Sequence, residues 1–387
     1  MMTQADPDRL AAALLEWYDS HARSLPWRVS PADRAAGRRP DPYRVWLSEI
    51  MLQQTTVAVV GPYFEAFVDR WPRVEDLAAA DPAEVRAAWA GLGCYARARN
   101  MHRCAGVVTS EYGGVFPDTR SALQELPGIG PYTSAAIAAI AFDRPETVVD
   151  GNVERVMARL HAIRTPLPAA KKDITAFASA LTPSTRPGDY AQALMDLGAT
   201  VCLPRAPACG ICPWREACDA RTQGIQEALP AKAPRKPRPV RVGHVFVVRD
   251  EGGAWALEQR PETGLLGGMR GFPGSTWEEI DPESVGGVPS APPAPPCAAA
   301  WHACGEVRHT FTHFHLRLHV WTARVTARDW LPQWIRIPAR EFRVSDLPGV
   351  MRKVARAAAT PDQSAATSPV VTDSGAGAGR SKSGMIS

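Results

Sequence analysis

Apolar residues recur every three or four positions through the first 225 residues, which is the spacing of α-helices with one buried face. Residues 7–22 form the first such segment, and a polar, basic loop follows at 29–40. A helix from the Asp41-Pro42 cap to about residue 60 is apolar on more than one face, so we expect it to be central and buried. Further helices are predicted at 62–70, 75–79, 82–91, 95–112, 119–126, 131–142, 151–162, 170–181 and 187–200.

The period of the pattern changes to two after a basic, proline-rich stretch at 229–241, which is typical of an extended linker. No strand pattern precedes this stretch, so the first part of the chain is predicted to be all-α. Residues 242–259 predict a β-hairpin and 308–325 predict a pair of strands. Together they indicate a mixed α/β domain over 242–357, with a Pro-, Gly- and Ala-rich segment at 281–299 that is typical of a flexible insert.

The composition adds few constraints. A chain of 387 residues with 45% apolar residues is long enough for two domains with proper cores. The net charge is only +4, so any basic surface for nucleic acid must be local. The N-terminus lacks a basic region followed by an apolar one, and no apolar run has transmembrane length, so we expect a cytoplasmic protein with no membrane contact. Residues 358–387 hold few apolar groups and predict a disordered tail.

Four of the eight cysteines form a C-x6-C-x2-C-x5-C pattern, and they are Cys202, Cys209, Cys212 and Cys218. Disulfides are rare in the cytosol, so thiols this close together indicate metal ligands. Both zinc and iron–sulfur clusters accept four thiolates, and the spacing alone does not separate them. The remaining cysteines have no partner at a ligand spacing and are predicted to be packing residues or isolated thiols: Cys94, Cys104, Cys297 and Cys304.

Two carboxylates lie in apolar stretches of the sequence. Glu49 lies within WLSEIML on the predicted central helix, and Asp150 follows two valines just before another helix. Each alone has an ordinary explanation, because Glu49 could pair with Arg28 or Arg44 on a helix surface and Asp150 could be a simple helix cap. Together, a carboxylic acid whose pKa is raised by burial and an ionised carboxylate suit the cleavage of a glycosidic bond.

A turn with two glycines precedes the small-residue helix at 131–142, and it consists of Leu126, Pro127, Gly128, Ile129 and Gly130. Such a turn lets backbone N–H groups point outward, and the helix N-terminus behind it favours an anion. The turn therefore predicts a phosphate-sized site. Taken alone, it would equally be an ordinary connection between two helices.

These features coincide in one known family. The turn LPGIGPYT, the acid in VVDGN and the four-cysteine pattern together resemble the helix-hairpin-helix DNA glycosylases related to endonuclease III. The segment DPYRVWLSEIMLQQT narrows the resemblance to the adenine DNA glycosylases of the MutY type, over about residues 8–225. The segments GLLGGMRGFPG (264–274) and HTFTHFHL (309–316) are similar to the Nudix-like domain of that family.

The resemblance implies a mainly α glycosylase part over 1–228 and a C-terminal α/β Nudix-like domain. Within the first part it implies a six-helix barrel at about 41–142 and an iron–sulfur module formed by 7–28 and 143–228. It also implies that the cysteines hold a [4Fe–4S] cluster rather than zinc. The implied substrate is double-stranded DNA with adenine opposite 8-oxoguanine or guanine, acted on in base excision repair by a nucleoid-associated monomer.

The resemblance assigns roles to four groups of side chains. The implied catalytic group is Glu49, Asp150, Tyr132 and Asn152. The implied adenine pocket is Trp27, Arg28 and Gln192. The implied 8-oxoguanine contacts are Phe311, Thr312 and His313. The implied DNA contacts are Gln54, which would wedge the duplex, and the backbone of the turn Leu126, Pro127, Gly128, Ile129 and Gly130.

Three positions depart from the pattern expected for the wider family. Relatives that cut the DNA strand carry a lysine where this chain has Tyr132, so we expect base removal without strand cleavage. Cys94 stands where the family usually has a tyrosine that stacks on the lesion pair, which predicts weaker lesion discrimination unless Tyr95 takes that role. Thr312 replaces the expected serine and keeps its hydroxyl.

Three alternatives remain on the sequence alone. A bifunctional pyrimidine glycosylase and lyase is disfavoured by Tyr132 and by the second domain. A catalytically inactive DNA-binding module is disfavoured because Glu49 and Asp150 are both present. An independent nucleotide hydrolase is disfavoured because residues 240–357 lack a G-x5-E-x7-R-E-x-x-E-E run, so no acid cluster is expected to hold Mg²⁺ there.

Overall fold

The computed structural model describes residues 6–234, 237–261, 264–281, 289 and 291–359. Contacts divide the chain into two compact units, Met1–Arg235 and Lys236–Ser387. Among the described residues of the first unit there are helices and a single isolated β-bridge, whereas the second unit is built on a sheet. No helix in the described part of the chain is long and apolar enough to cross a membrane.

The α-helices of the first unit follow one another closely along the chain. They are α1 Pro7–His21, α2 Pro31–Ala35, α3 Pro42–Leu52, α4 Val57–Arg70, α5 Val74–Ala79, α6 Pro82–Ala88, α7 Tyr95–Tyr112, α8 Arg120–Gln124, α9 Pro131–Phe142, α10 Gly151–Leu160, α11 Lys171–Leu181, α12 Pro187–Thr200 and α13 Asp219–Thr222. The predicted all-α character of this part is confirmed, and most helix boundaries differ by only one or two residues from the predicted ones.

Four of these helices begin with the same local chemistry. The cap side chain accepts a hydrogen bond from a backbone N–H two or three residues later, and a proline takes the first helical position. The caps are Asp6 for α1, Ser30 for α2, Asp41 for α3 and Asp81 for α6. One of them begins a short helix inside the segment 29–40, so the prediction that this segment is only a loop was wrong.

The central helix α3 is shorter than predicted. It ends at Leu52 and a new helix begins at Val57, whereas the apolar pattern predicted one helix to about residue 60. Gln54 has a φ of 60°, a left-handed conformation that cannot continue a right-handed helix. The Arg97 guanidinium donates to the carbonyls of Ile50 and Met51 at 2.9 and 3.2 Å, which satisfies groups that the helix end leaves unpaired.

Within the core of the first unit, α12 packs against α9 and α10, and α3 packs against α9. Glycines permit the close approach of α12. A Cβ on Gly188 would lie 2.5 Å from the Ala139 carbonyl oxygen of α9, and a Cβ on Gly198 would lie 2.5 Å from the Cβ of Asn152 in α10. Because Asn152 stands beside Asp150, the packing of α12 fixes the start of α10.

The second unit is a mixed sheet with strand order β3-β2-β1-β6-β5, in which β4 pairs with β1 and β7 with β2. Strands β1 and β6 are parallel and the other pairs are antiparallel. The elements are β1 Val240–Asp250, β2 Trp255–Gln259, β3 Arg270–Gly271, β4 Glu278–Ile280, β5 His302–Thr310, β6 His315–Val325, β7 Ile335–Ile337 and α14 Gly349–Ala359. The predicted hairpin and strand pair are confirmed.

Three segments predicted to be irregular are described only in part. The linker at 229–241 lacks description at 235–236, and its start is tied to the first unit because Leu167 donates its N–H to the Ala231 carbonyl at 2.9 Å. Residues 282–288 and 290 of the insert at 281–299 lie outside the described residues. The predicted tail, 358–387, lies outside the described residues from residue 360 onward. Its first two residues are the last two residues of α14.

We predict opposite effects for two glycine-to-alanine changes in helices. Gly198→Ala would force α12 away from Asn152 and lower the free energy of unfolding by ~1–3 kcal/mol. Gly106→Ala lies inside α7, and no heavy atom is within 4 Å of the new Cβ. This change should raise the free energy of unfolding by about 0.5–1 kcal/mol, because alanine favours a helix more than glycine does. Chemical denaturation of both variants measures the difference, and equal effects would contradict the close packing of α12 on α10.

Candidate active site and cysteine site

A cavity of about 740 Å³ opens among α3, α9, α12 and the start of α10. Ligand sites in proteins commonly have volumes of this order. The residues that line it include eight of those predicted from the sequence: Trp27, Arg28, Glu49, Gln54, Tyr132, Asp150, Asn152 and Gln192. The predicted catalytic group and the predicted adenine pocket therefore lie in one cavity.

Glu49 is buried on α3, with 7% of its surface exposed. Burial raises the pKa of its carboxyl group to about 7, and the nearby negative charge of Asp150 acts in the same direction. A hydrogen bond from Tyr132 and the positive charge of Arg28 oppose this shift. At neutral pH Glu49 can therefore both give and accept a proton.

Asp150 is the N-cap of α10. Its Oδ1 accepts a hydrogen bond from the Val153 N–H at 2.7 Å, and its Oδ2 accepts one from the Asn152 amide at 3.0 Å. Both oxygens are thus held by donors at the N-terminus of a helix, where a negative charge is stabilised. The ordinary explanation of Asp150 as a helix cap is thus correct, and it is compatible with a charged group that faces the cavity.

Tyr132 lies in the first turn of α9, directly after the turn with two glycines. Burial, followed by the negative charges of Glu49 and Asp150, raises its pKa well above the usual value of a phenol. Tyr132 therefore keeps its proton and donates it in a hydrogen bond to Glu49. This contact orients the carboxyl group of Glu49 within the cavity.

Each predicted adenine-pocket residue contacts a residue outside the cavity. The ring of Trp27 meets Phe64 edge to face at 5.3 Å. Arg28 donates from Nη1 to the buried carboxylate of Asp196 at 2.7 Å. The Gln192 amide donates to the Gly188 carbonyl at 3.3 Å. Each side chain is thus fixed by a contact outside the cavity.

The turn before α9 presents its glycines to solvent. Leu126 and Ile129 are buried, and the Ile129 N–H donates to the Leu126 carbonyl at 3.2 Å, which anchors the turn. Gly128 and Gly130 are exposed. Gly128 has a φ of 80°, and a Cβ there would lie 2.8 Å from the Cβ of Asn100, so glycine is needed for both backbone conformation and space.

The four predicted ligand cysteines converge on a second, smaller cavity. Cys202 accepts a hydrogen bond on Sγ from Arg159 Nη1 at 3.2 Å, and that buried guanidinium also donates to the carbonyls of Leu203, Pro204 and Leu229. Burial raises the pKa of Cys212 to about 12. Among the described residues, no three His, Cys, Asp or Glu side chains are close enough together to hold a single metal ion.

The predicted lesion contacts belong to the second unit, in the turn between β5 and β6. Phe311 stacks on Trp277 with ring centroids 5.9 Å apart, and its N–H donates to the Phe314 carbonyl at 2.9 Å. Thr312 and His313 are exposed at the tip of the turn. The unit therefore fixes the phenyl ring and leaves a hydroxyl and an imidazole open to solvent.

Cys94 lies in a turn that the sequence singled out. It is exposed, has a φ of 44° and caps the N-terminus of α7. Its neighbour Gly93 also has a positive φ, of 70°. The guanidinium of Arg97 forms a hydrogen bond with its thiol, and Arg97 also donates to the Leu92 carbonyl at 2.7 Å.

Sequence reasoning missed several residues at the cavity. Arg23 lines it and donates from Nε to Asp196 at 2.5 Å. Gln53 lines it as well and donates to the Thr133 hydroxyl at 3.3 Å. The one available signal was an acid, Asp196, within the apolar face of a helix, and its partner lies 173 residues away in sequence.

Two family models match the chain. Residues 47–181 match the HhH-GPD superfamily of base excision DNA repair proteins. Residues 244–357 match the NUDIX domain. The matches confirm a helix-hairpin-helix glycosylase fold in the first unit and a Nudix-like domain in the second.

The chain is similar to several known proteins. The adenine DNA glycosylase of Mycolicibacterium smegmatis is 44% identical over 209 residues, covering 53% of this chain and 69% of that protein. The solved structure of a thermostable thymine-DNA glycosylase is 28% identical with a TM-score of 0.49, covering 56% of this chain and 97% of that one. The human adenine DNA glycosylase is 36% identical over 409 residues, covering 91% of this chain and 74% of that protein, and the chain therefore belongs to the adenine DNA glycosylase family.

Proposed function

We propose that this adenine DNA glycosylase removes adenine paired with 8-oxoguanine or guanine and leaves the DNA strand intact. The observation that carries the proposal is that two carboxyl groups line one cavity. Glu49 is buried, has a pKa of about 7 and accepts a hydrogen bond from Tyr132. Asp150 is held by hydrogen bonds to both of its oxygens. An acid and an ionised partner in one apolar site are what glycosidic bond cleavage requires.

The reaction begins when adenine leaves the duplex, which costs a few kcal/mol. Protonated Glu49 donates its proton to N7 of the flipped base, so that adenine leaves as a neutral molecule when the bond from N9 to the sugar C1′ breaks. The cavity walls at Trp27, Arg28 and Gln192 are held in place by contacts outside the cavity, which supports a role in orienting the base.

The sugar acquires positive charge as adenine departs. Asp150, with a donor on each oxygen, stabilises this cation electrostatically. Glu49, now ionised, takes a proton from a water molecule, and the resulting hydroxide adds to C1′. The hydrogen bond from Tyr132 to Glu49 and that from Asn152 to Asp150 hold the two carboxylates in these roles.

Strand cleavage of the lyase type requires an amine that forms a Schiff base with the sugar. No lysine is among the described residues that line the cavity. Tyr132, whose pKa is raised well above that of an ordinary phenol, offers a hydroxyl donor there and no amine. This supports a monofunctional enzyme over the bifunctional alternative.

We propose that the exposed turn residues Thr312 and His313 of the Nudix-like domain contact 8-oxoguanine on the opposite strand. Both offer polar groups that could bond the edge of a base, and Phe311 is packed in the domain as a support. The run of acids that would hold Mg²⁺ on a nucleotide is missing from 240–357. This supports recognition over nucleotide hydrolysis in the domain.

We propose that the four cysteines hold a [4Fe–4S] cluster rather than a single zinc ion. A tetrahedral zinc site with Zn–S bonds of about 2.3 Å needs all its sulfurs close together. The described cysteines line one small cavity together. A cluster binds each thiolate at a different iron and so spaces the sulfurs more widely. Cys202, Cys209, Cys212 and Cys218 would hold it, and it would cross-link the loop after α12.

We predict that adenine is released from duplexes with 8-oxoguanine:adenine and guanine:adenine pairs but not from thymine:adenine. Single-turnover release with enzyme in excess measures this, and strand breaks are scored separately with and without base treatment. Breaks should appear only after base treatment, because no lysine is among the described residues that line the cavity. Equal release from all three duplexes would contradict the proposed mispair specificity, and breaks without treatment would contradict the monofunctional mechanism.

We predict that Glu49→Gln lowers the single-turnover rate by about 10²–10⁴-fold, because an amide cannot donate the proton to N7. Glu111→Gln, at an exposed position on α7, is the matched control and should keep the wild-type rate. A near wild-type rate in Glu49→Gln would remove Glu49 from the mechanism.

Stability provides a folding check on the same variant. The pKa of Glu49 is raised in the folded state, so folding favours the protonated form of this group. Its contribution to stability is fully present at pH values below the ordinary carboxyl pKa and is lost as the pH rises from there through about 7. The stability of the wild type relative to Glu49→Gln should therefore fall as the pH rises over that interval. Denaturation curves at several pH values measure it.

We predict that the purified protein contains about four irons and about four sulfides per chain and absorbs visible light. Cys212→Ser should lose iron and the absorption band, because one thiolate ligand is removed. Cys297→Ser, in the other unit, is the control and should retain both. Stoichiometric zinc in place of iron would refute the cluster.

A further inference from the structure

A buried aspartate binds two arginines that line the cavity. Asp196 lies on α12 with its side chain 0% exposed. It accepts hydrogen bonds from the Arg23 Nε at 2.5 Å, from the Arg23 backbone N–H at 3.0 Å and from Arg28 Nη1 at 2.7 Å. Both arginines line the cavity.

Arg28 connects Asp196 with the catalytic group Glu49. Its side chain is only 8% exposed, and its positive charge acts on Glu49 by favouring the ionised form. The charged and titratable groups that face Glu49 are Tyr132 on α9, Asp150 at the start of α10 and Arg28. A buried cation beside an acid that must stay protonated would weaken that acid unless a counter-charge offsets it.

We propose that Asp196 is a positioning residue of the reaction: its carboxylate fixes the Arg28 guanidinium at the cavity wall and offsets its charge there. The proposal rests on the role of Glu49 as the acid. Two charge-assisted hydrogen bonds to arginine side chains give the carboxylate a defined geometry. A buried ion pair of this kind is weak evidence for stability, because desolvation cancels much of its attraction, so a functional reason has to be tested separately.

The same helix provides a matched comparison. Asp189, two turns earlier on α12, is also a buried aspartate between two arginines, at 3.1 Å from Arg34 Nε and 2.8 Å from Arg186 Nε. Asp189 is not among the described residues that line the cavity of Glu49. A purely structural role would make the two aspartates equivalent.

The experiment records the single-turnover rate of adenine release against pH for the wild type, Asp196→Asn and Asp189→Asn. In the wild type the rate should fall as the pH rises through about 7, where Glu49 loses its proton. Asp196→Asn leaves the charge of Arg28 without a counter-charge, which favours ionised Glu49. The midpoint of the fall should therefore move down by roughly 0.5–1 pH unit.

Asp189→Asn should lower thermal stability and leave that midpoint unchanged. A folded Asp196→Asn with an unchanged or higher midpoint would overturn the role of Asp196 while leaving Glu49 as the acid. A wild type without any fall near that pH, or a Glu49→Gln variant that keeps it, would instead overturn the proposed function. The two failures are thus distinguishable.

A second comparison holds if Asp196→Asn does not fold, since removing one partner leaves a buried charge unpaired. Arg28→Gln keeps Asp196 bound to Arg23, and the double change Arg28→Gln/Asp196→Asn removes Asp196 and Arg28 together. Only Arg23 then loses its carboxylate, and its side chain is partly exposed to water. If Asp196 acts through Arg28, both variants should have the same midpoint. A further shift in the double variant would show that Asp196 acts on the site by another route and would refute the proposal.

Discussion

The chemistry proposed for the cavity depends on the burial of one carboxyl group, that of Glu49 on α3. Burial makes this group neutral more easily than on a surface, and the nearby charge of Asp150 adds to the effect. The helices around it are arranged accordingly. Tyr132 at the start of α9 supplies a donor, and the start of α10 supplies the anchored partner.

Much of the fold was predictable because local chemistry determines it. An acidic or hydroxyl cap followed by proline favours the start of a helix, and the Asp41-Pro42 pair correctly located the start of α3. The end of α3 was not predictable in this way. Apolar residues continue past Leu52, and nothing local indicates that Gln54 takes the left-handed conformation. The carbonyls freed there are bound by Arg97, which follows them by 47 and 46 residues.

The candidate site also contains some residues that the sequence indicates and others that it does not. Glu49 and Asp150 were noticed as carboxylates in apolar stretches, but only the resemblance to a family connected them with Tyr132 and Asn152. The structure places all four at one cavity, and their roles stay predictions. Arg23 and Asp196 escaped notice because an ion pair between residues 173 positions apart leaves no local pattern. The polar groups that support a site from outside are in general set by tertiary packing.

Helix α10 connects the two parts of the first unit that carry chemistry. Asp150 caps its N-terminus, and Arg159 near its other end donates to Cys202 and to three backbone carbonyls of the cysteine segment and the chain after it. Between them, Arg155 donates to Asn152 and to the Cys202 carbonyl, both at 2.8 Å. A displaced cysteine segment would therefore pull on the residue that holds Asp150. Order around the cysteines and the geometry of the catalytic pair are mechanically linked through this one helix.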